Sequence, residues 1–234
     1  MLAKTKLNKL NFMENESLYI VFEGVVGTGK STQSKQLLTY LQQKFPNRQI
    51  IWTREPGGSE IAEAIRKVVQ GTPFNEQMDP VCEAYLYAAA RAQSLRTVVA
   101  PVLASGGIVI ADRSFLTSVA WQGFGRELGF DAIWKINEAA VGEFLPNLVF
   151  CLDLDPTEAL RRTSDAAGDK FESLPPAFFA RCRDGYNFLA NHPKFSNLWQ
   201  TIDAAGTKEE VFQRILERLQ SAKTSGVSLS STEE

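Results

Sequence analysis

The sequence contains a single histidine, His192, which precedes a proline in a polar stretch. A catalytic relay centred on histidine and a metal site with several histidines are therefore not expected. Cysteine is also scarce: Cys82, Cys151 and Cys182 form no C-x-x-C pair, and Cys151 lies inside an apolar run. Buried free thiols in a reducing compartment are the expected state, which favours a cytoplasmic location.

Long hydrophobic runs and an excess of positive charge are absent too. The apolar runs Gly107–Ala111 and Leu148–Leu154 are far too short to cross a bilayer. Lysines at positions 4, 6 and 9 interrupt the N-terminal segment, so no secretory signal is expected. With a net charge of −2, neither nucleic acid nor an anionic membrane surface is an expected partner.

Short β-branched runs alternate with longer helical patterns along the 234 residues. Apolar strands separated by helices are typical of a parallel sheet covered on both faces. We predict one α/β domain over residues 17–220, a flexible N-terminal tail (1–16) and a disordered C-terminal tail (221–234). The predicted strands are Leu18–Phe22, Gln49–Thr53, Ile108–Ala111, Leu148–Leu154 and Leu198–Ile202. The predicted helices are Ser31–Phe45, Ser59–Val69, Pro80–Ala104, Asp131–Val141, Pro156–Thr163, Pro175–Asn191 and Lys208–Gln220.

The stretch after the first predicted strand fits the phosphate-loop pattern G-x-x-x-x-G-K-[ST] in full and opens a predicted helix. Glycines allow backbone N–H groups to turn inward around phosphate oxygens, and the helix N-terminus adds partial positive charge. Lys30 is expected to reach the β- and γ-phosphates, and Ser31 to ligate Mg²⁺. The predicted P-loop NTPase fold is therefore expected to bind a nucleoside triphosphate through Gly24, Gly27, Thr28, Gly29, Lys30, Ser31 and Thr32.

The phosphate loop alone does not decide the class of protein. GTPases need a base-reading N-K-x-D motif downstream, and the only Asn-Lys pair, Asn8-Lys9, lies upstream and lacks the aspartate. Motor and transport ATPases are usually larger. These exclusions favour a kinase that acts on a small metabolite.

Three further stretches follow predicted strands or lie near them, where open α/β sheets bind ligands. In the first, Arg54 precedes a rigid Pro-Gly-Gly turn that can hold its guanidinium against a phosphate. In the second, YLYAAARAQ, Tyr87 and Arg91 lie one helical turn apart, which suits a nucleotide base. In the third, IVIADRSFLTSVAWQG, a strand delivers Asp112 and Arg113 to the edge of the sheet.

Together these stretches resemble the thymidylate kinase (dTMP kinase) family. The resemblance covers about residues 19–219 and is carried by FEGVVGTGKST, TREPGG, YAAARAQ, DRSFLTSVAWQG and DLDPTEALRR. It implies a sheet of about five parallel strands between two helical layers, a homodimer, and transfer of phosphate from ATP and Mg²⁺ to dTMP. It also implies a lid at about residues 163–174.

The resemblance implies roles for individual positions. Arg54 would hold the dTMP phosphate, Tyr87 would stack on thymine, and Trp121 would lie near the sugar. Asp112 would organise Mg²⁺ together with Ser31; Asp153 and Asp155 remain rival candidates, although Pro156 predicts a helix start at Asp155. The implied dTMP-binding residues are Arg54, Tyr87, Arg91, Arg113, Ser118, Trp121 and Gln122. The implied catalytic residues are Lys30, Asp112, Arg113 and Arg161.

Three positions depart from the family pattern. Val26 replaces an acidic residue that receives the 3′-hydroxyl of the sugar, and valine cannot accept that hydrogen bond. Ser114 replaces an aromatic residue, which is expected to leave extra room or a water. In the lid segment, Lys170 stands where the family has arginine, and lysine offers no bidentate fork.

These departures leave two alternatives open. One is a kinase with a different monophosphate acceptor, such as dUMP or a modified pyrimidine nucleotide. The other is a non-catalytic nucleotide-binding module, which Val26 and the altered lid favour. The intact phosphate loop and the acceptor arginines oppose the second alternative.

Overall fold

The computed structural model describes residues 16–71, 74–162 and 174–222. Within these ranges the five strands form one parallel sheet in the order β2-β3-β1-β4-β5. Each strand lies within one residue of its predicted bounds at either end, and the predicted α/β fold is confirmed. The strands are β1 (Leu18–Glu23), β2 (Ile50–Arg54), β3 (Ile108–Asp112), β4 (Leu148–Asp153) and β5 (Trp199–Asp203).

Helices surround this sheet, and local capping explains where several of them begin. The side chains of Ser59, Asp79, Asp155 and Thr207 accept hydrogen bonds from the first turns of their helices. The helices are α1 (Lys30–Lys44), α2 (Glu60–Gln70), α3 (Pro80–Ser94), α4 (Ala100–Ala104), α5 (Phe115–Ser118), α6 (Phe130–Val141), α7 (Pro156–Arg161), α8 (Pro176–Asn191) and α9 (Lys208–Ser221).

Two helices contain π-helical segments that the sequence pattern did not predict. Leu95–Val99 joins α3 to α4, so the predicted helix Pro80–Ala104 is continuous but widened in its middle. Val119–Gly125 continues α5 in the same way. π-Helical segments often occur at functional sites. The second one carries Trp121 and Gln122, two of the implied substrate residues.

The strand register brings the candidate site residues to one edge of the sheet. Phe22 in β1 pairs with Asp112 in β3, which in turn pairs with Arg54 in β2. The carboxyl ends of these strands therefore meet beside the phosphate loop that follows β1. All residues of β1 and β3 are buried, so packing fixes the position of this edge.

Several predictions fall outside the described residues or need correction. Most of both tails and of the lid (163–174), including Lys170, lies outside the described ranges. The prediction of buried thiols is confirmed for Cys151 and Cys182 but is wrong for Cys82, which is exposed. Cys82 lies in the first turn of α3, where its side chain does not face the core.

Among the described residues, no helix has the length and apolar character needed to span a membrane.

Helix α8 packs closely on the π-helical segment through a glycine. A Cβ at Gly185 would lie 2.8 Å from the Ala120 Cα and 3.0 Å from the Phe124 ring. A contact of that length with backbone forces the two elements apart. Glycine is therefore required here by close approach, although it lowers the intrinsic stability of the helix.

We predict that Gly185→Ala lowers the free energy of unfolding by about 1–3 kcal/mol, because the added methyl separates α8 from the Val119–Gly125 segment. Urea unfolding followed by circular dichroism would measure this change. Asn187→Ala, on the exposed side of the same helix, is the matched control and should change stability by only a few tenths of a kcal/mol. Equal effects of the two substitutions would contradict the close-packing explanation.

Candidate active site

A cleft of about 560 Å³ opens at the carboxyl edge of the sheet. The phosphate loop forms one wall, and residues that follow β2 and β3, together with side chains of α3, form the other. The residues that line the cleft include Val26, Lys30, Ser31, Arg54, Glu55, Tyr87, Arg91, Asp112, Arg113, Ser114, Trp121, Gln122 and Arg162. The volume is in the range of small-molecule and cofactor sites.

The phosphate loop depends on glycines at its two ends. Gly24 has φ +132°, and a Cβ there would lie 2.4 Å from the Leu152 carbonyl oxygen of β4. Gly29 has φ +91° and is the N-cap of α1. Side chains rarely adopt these backbone angles, which explains why the pattern requires glycine at both places. The loop therefore presents the N-terminus of a 15-residue helix to the cleft.

Lys30 is held inside the loop. Its Nζ donates to the Val25 carbonyl at 2.6 Å and lies 3.4 Å from the Thr28 Oγ1. Burial, together with the positive charge of Arg113, lowers the pKa of Lys30 from its ordinary value to about 7. An anionic ligand at the loop would supply the negative charge that this ammonium group lacks.

Ser31 and Asp112 lie together at the mouth of the loop. The Ser31 hydroxyl donates a short hydrogen bond to the Asp112 carboxylate. Ser31 is exposed at the start of α1, whereas Asp112 ends β3 and is 9% exposed. One hydroxyl and one carboxylate oxygen are hard ligands of the kind that Mg²⁺ prefers, when water and phosphate oxygens complete the octahedron.

Arg54 is held at the opposite side of the cleft by a carboxylate. Its guanidinium contacts Glu63 of α2 through Nε and Nη2, with distances of 3.0–3.3 Å. The Glu63 Oε1 also accepts from the Gly58 backbone N–H at 3.2 Å. The Arg54 side chain remains 43% exposed, so it can bind an anion while keeping its partner. This geometry matches the expected fork that follows β2.

Arg91 lies deeper in the cleft and is almost wholly enclosed. Its Nε donates to Glu55 at 2.6 Å, Nη1 donates to Asn137, and Nη2 donates to the Ser118 hydroxyl at 3.2 Å. Burial raises the pKa of Glu55, while the neighbouring Arg91 opposes that rise. The guanidinium is therefore fixed in direction by three separate elements of the fold.

Gln122 lies near Arg91 in the same cleft and is 2% exposed. Its amide Nε2 donates to the Glu83 carboxylate of α3 at 2.8 Å. Its carbonyl Oε1 is buried and accepts no hydrogen bond from the described residues. A buried polar oxygen without a partner is costly, which indicates that a ligand supplies the donor.

A buried carboxylate network supports Arg113 and the loop. Glu23 accepts from the Ser114 N–H at 2.8 Å, the Ser114 hydroxyl at 2.7 Å, the Thr117 hydroxyl at 2.6 Å and the Tyr186 hydroxyl at 3.2 Å. Arg113 has φ +76°, donates to the Gly24 carbonyl at 3.2 Å, and lies 5.3 Å from the Trp121 ring centroid. The network therefore sets the strained backbone that aims Arg113 into the cleft.

Comparison with known proteins shows the family to which this chain belongs. Residues 22–215 match the family model for thymidylate kinase. The chain belongs to the thymidylate kinase family. The thymidylate kinase of Finegoldia magna is 39% identical over 203 residues, which cover 86% of this chain and 97% of the relative. That of Geobacillus thermodenitrificans is 36% identical over 212 residues, covering 88% and 92% respectively.

A solved structure agrees with the sequence comparisons. The crystal structure of thymidylate kinase from Ehrlichia chaffeensis superposes with a TM-score of 0.70 at 27% identity. The match covers 88% of this chain and 99% of that one. The resemblance drawn from the five sequence motifs is thereby confirmed, as is the P-loop fold.

The structure brings most of the predicted site residues of this thymidylate kinase family member into one cleft, although their roles stay predictions. Gly24 and Thr28 support the loop from behind and are not among the cleft-lining residues, and Ser118 contacts Arg91 instead of the cleft. Arg161 is 75% exposed and pairs with Glu158 at 2.9 Å; it is the neighbouring Arg162 that lines the cleft. The residues that do line it are Gly27, Gly29, Lys30, Ser31, Thr32, Arg54, Tyr87, Arg91, Asp112, Arg113, Trp121 and Gln122.

Two other expectations can be compared with the structure. Asp155 accepts from the Thr157 and Glu158 N–H groups, which confirms that it caps a helix, and Asp153 is paired with Arg183 at 2.7 Å. Both rivals of Asp112 therefore have structural partners. The extra room or water expected at Ser114 stays a prediction: Ser114 lines the cleft, while its hydroxyl donates to Glu23 and caps α5 at the Leu116 N–H.

Sequence reasoning missed the carboxylates that orient the cleft. Glu55, Glu63 and Glu83 each hold a cleft residue, yet none was predicted as part of the site. A signal was available for Glu83: it lies four residues before Tyr87 and eight before Arg91, on the same face of α3. An acidic side chain on a helix face that also carries an enclosed arginine indicates a buried polar network.

We predict that Lys30→Met abolishes ATP binding yet raises the free energy of unfolding of the ligand-free protein by roughly 1–3 kcal/mol at pH 7, because a buried ammonium is removed. Since the folded-state pKa of about 7 lies below the ordinary value of 10.5, the destabilisation is complete below pH 7 and fades towards pH 10. Denaturant unfolding at several pH values, with ATP titrations, measures both effects. Lys44→Met, which removes an exposed lysine at the far end of the same helix, is the control; an equal gain in stability there would contradict the prediction.

Proposed function

We propose that the protein transfers the γ-phosphoryl group of ATP to dTMP, which gives dTDP for dTTP biosynthesis. The observation that carries this proposal is the single cleft that joins a phosphate loop to an enclosed arginine–glutamine pair. One end suits a triphosphate, and the other suits the edge of a base. A cytoplasmic location, where both substrates are found, belongs to the same proposal.

The reaction needs positioning and charge neutralisation more than covalent chemistry. Lys30 would lie against the β- and γ-phosphates, while Arg54 would hold the phosphate of dTMP. Arg113, which lies between the phosphate loop and Trp121, would neutralise charge on the transferring group. An oxygen of the dTMP phosphate would then attack in line, so no covalent enzyme intermediate is required.

Mg²⁺ fits the donor set at the mouth of the loop. Ser31 and Asp112 would hold it, and it would offset charge on the β- and γ-phosphates. No cluster of three or more His, Cys, Asp or Glu side chains able to hold a metal occurs in the described part of the chain. A site made of two protein oxygens and substrate phosphates is the arrangement in which Mg²⁺ is commonly bound.

The base of dTMP would occupy the deeper end of the cleft. Arg91 offers donors to a carbonyl oxygen, and the Gln122 Oε1 awaits a donor. Tyr87, whose hydroxyl is 3.4 Å from the Gln70 Nε2, would stack against the ring, with the Trp121 indole near the sugar. Val26 lines the cleft and offers no acceptor to the 3′-hydroxyl.

We expect ADP release from ATP and Mg²⁺ to require a nucleoside monophosphate, with dTMP preferred over dUMP, UMP, dCMP and dGMP. Because Val26 cannot bind the 3′-hydroxyl, 3′-deoxy-dTMP should have a kcat/KM within about tenfold of that for dTMP. A coupled assay of ADP release would measure both. Better turnover with another monophosphate would indicate a changed acceptor, and ATP binding without any turnover would indicate a non-catalytic module.

We also infer that the protein forms a homodimer through α2 and α3, which pack against each other. Ile61 and Val68 lie seven residues apart on one stripe of α2, and Val81 and Tyr85 lie four apart on α3. All four are exposed, with 38–59% of each residue accessible. A group of large apolar side chains on adjoining helices is typical of a surface that a partner covers.

We predict that Tyr85→Glu shifts the protein towards monomer, since a carboxylate would be placed in an apolar interface. Sedimentation velocity across a hundredfold range of concentration would measure the change. Phe188→Glu alters a 37%-exposed aromatic residue on α8 and should leave the assembly unaffected. A monomeric wild-type protein, or equal effects of both substitutions, would contradict this interface.

A further inference from the structure

The orientation of the Gln122 amide is fixed by a neighbour outside the substrate cleft. Glu83 is 2% exposed, is not among the cleft-lining residues, and accepts from the Gln122 Nε2 at 2.8 Å. If the amide were turned over, its oxygen would face the carboxylate oxygen at that same distance. Two acceptors in a buried site repel each other, so only one orientation is stable.

Glu83 is itself held in place. The Arg126 guanidinium contacts both of its oxygens, with Nη2 3.1 Å from Oε2 and Nε 3.4 Å from Oε1. Arg126 in turn lies 5.4 Å from the Phe178 ring centroid. Because Arg126 and the Gln122 Nε2 both donate to it, the Glu83 carboxylate serves here as an acceptor.

We propose that Glu83 is a positioning residue. It orients Gln122 so that Gln122 selects a nucleotide whose base carries a hydrogen on its ring nitrogen. With one N–H of Nε2 directed at Glu83, the Gln122 Oε1 is the buried polar atom of this side chain that has no partner, and it requires a donor. Thymine and uracil carry a hydrogen on N3, whereas N3 of cytosine is an acceptor. The inference rests on the proposed function only in assuming that a pyrimidine nucleotide occupies this end of the cleft.

Arg91 adds to the same selection from the adjoining position. A guanidinium has only donors, so it suits the 4-carbonyl of thymine and opposes the 4-amino group of cytosine. Glu55 and Asn137 orient Arg91, whereas Glu83 orients Gln122. The two side chains that contact the base are therefore oriented by different residues. Loss of Glu83 should therefore weaken the selection without removing it.

The test compares dTMP with 5-methyl-dCMP, which differ only at ring positions 3 and 4. We expect the wild-type enzyme to favour dTMP strongly, and Glu83→Gln to reduce the ratio of the two kcat/KM values by at least about tenfold. A glutamine at position 83 can donate as well as accept, so Gln122 would be free to turn over. The change should occur mainly in KM, with kcat for saturating dTMP within about threefold of wild type.

Arg126→Gln is the matched control, because it breaks the ion pair but keeps the carboxylate beside Gln122. It should retain most of the selection. Equal loss of selection in both variants, or none in Glu83→Gln, would overturn the proposal. The wild-type protein offers a test that does not depend on folding of a variant: N3-methyl-dTMP should bind at least about tenfold more weakly than dTMP, and equal affinity would overturn the inference.

Calorimetric binding separates this inference from the proposed reaction. Selective binding of dTMP over 5-methyl-dCMP that weakens at least about tenfold in Glu83→Gln, together with no ADP release, would refute the phosphoryl transfer but support the role of Glu83. Turnover of dTMP and 5-methyl-dCMP at equal rates and affinities would support the transfer but refute the role of Glu83.

Discussion

The buried carboxylate of Glu23 is the group on which the geometry of the cleft depends. It ends β1, is fully buried, and accepts hydrogen bonds from the turn after β3 and from the Tyr186 hydroxyl of α8. Burial raises its pKa, and the hydrogen bonds from Thr117 and Ser114 oppose that rise. Because an unpaired buried charge is strongly destabilising, these elements must stay together for the protein to remain folded. The strained Arg113 backbone lies between them.

The same principle recurs at three cleft residues that carry donors. Glu63 directs Arg54, Glu55 directs Arg91, and Glu83 directs Gln122. Such contacts contribute little net stability, because desolvation offsets the attraction in the buried Arg91–Glu55 pair and solvent screens it in the half-exposed Arg54–Glu63 pair. Their value lies in direction: a long side chain that would otherwise sample several rotamers is fixed before the ligand arrives. Less conformational entropy then remains to be lost on binding.

The sequence sufficed to predict those parts of the molecule that depend on local pattern. Strand bounds follow apolar runs, helix starts at Asp155 and Thr207 follow capping chemistry, and the phosphate loop follows glycine spacing. Contacts between distant residues could not be predicted in this way. Glu83 and Gln122 lie 39 positions apart, and Glu23 and Tyr186 lie 163 apart. Only the packing of α3 and α8 on the sheet brings these pairs into contact.

Ser114 shows why a substitution cannot be interpreted from size alone. A small residue in place of an aromatic one predicts a gap, but the hydroxyl is also a donor, and an acceptor lies within reach. The hydroxyl therefore caps α5 and completes the shell around Glu23, although Ser114 still lines the cleft. The departure from the family pattern alters the buried network at that position as well as the wall of the cleft.

Charge is concentrated in the cleft although the whole chain carries a net charge of −2. Among the described residues, seven lysine or arginine side chains line the cleft but only two carboxylates, Glu55 and Asp112; the cations are Lys30, Lys35, Arg54, Arg66, Arg91, Arg113 and Arg162. Burial is the main cause of the lowered pKa of Lys30, and the positive charge of Arg113 adds to it, so part of this excess repels itself in the ligand-free protein. A triphosphate and a monophosphate together would relieve that repulsion. Part of the folding free energy is thus spent on holding a site that becomes electrostatically balanced only when both phosphate-bearing ligands are bound.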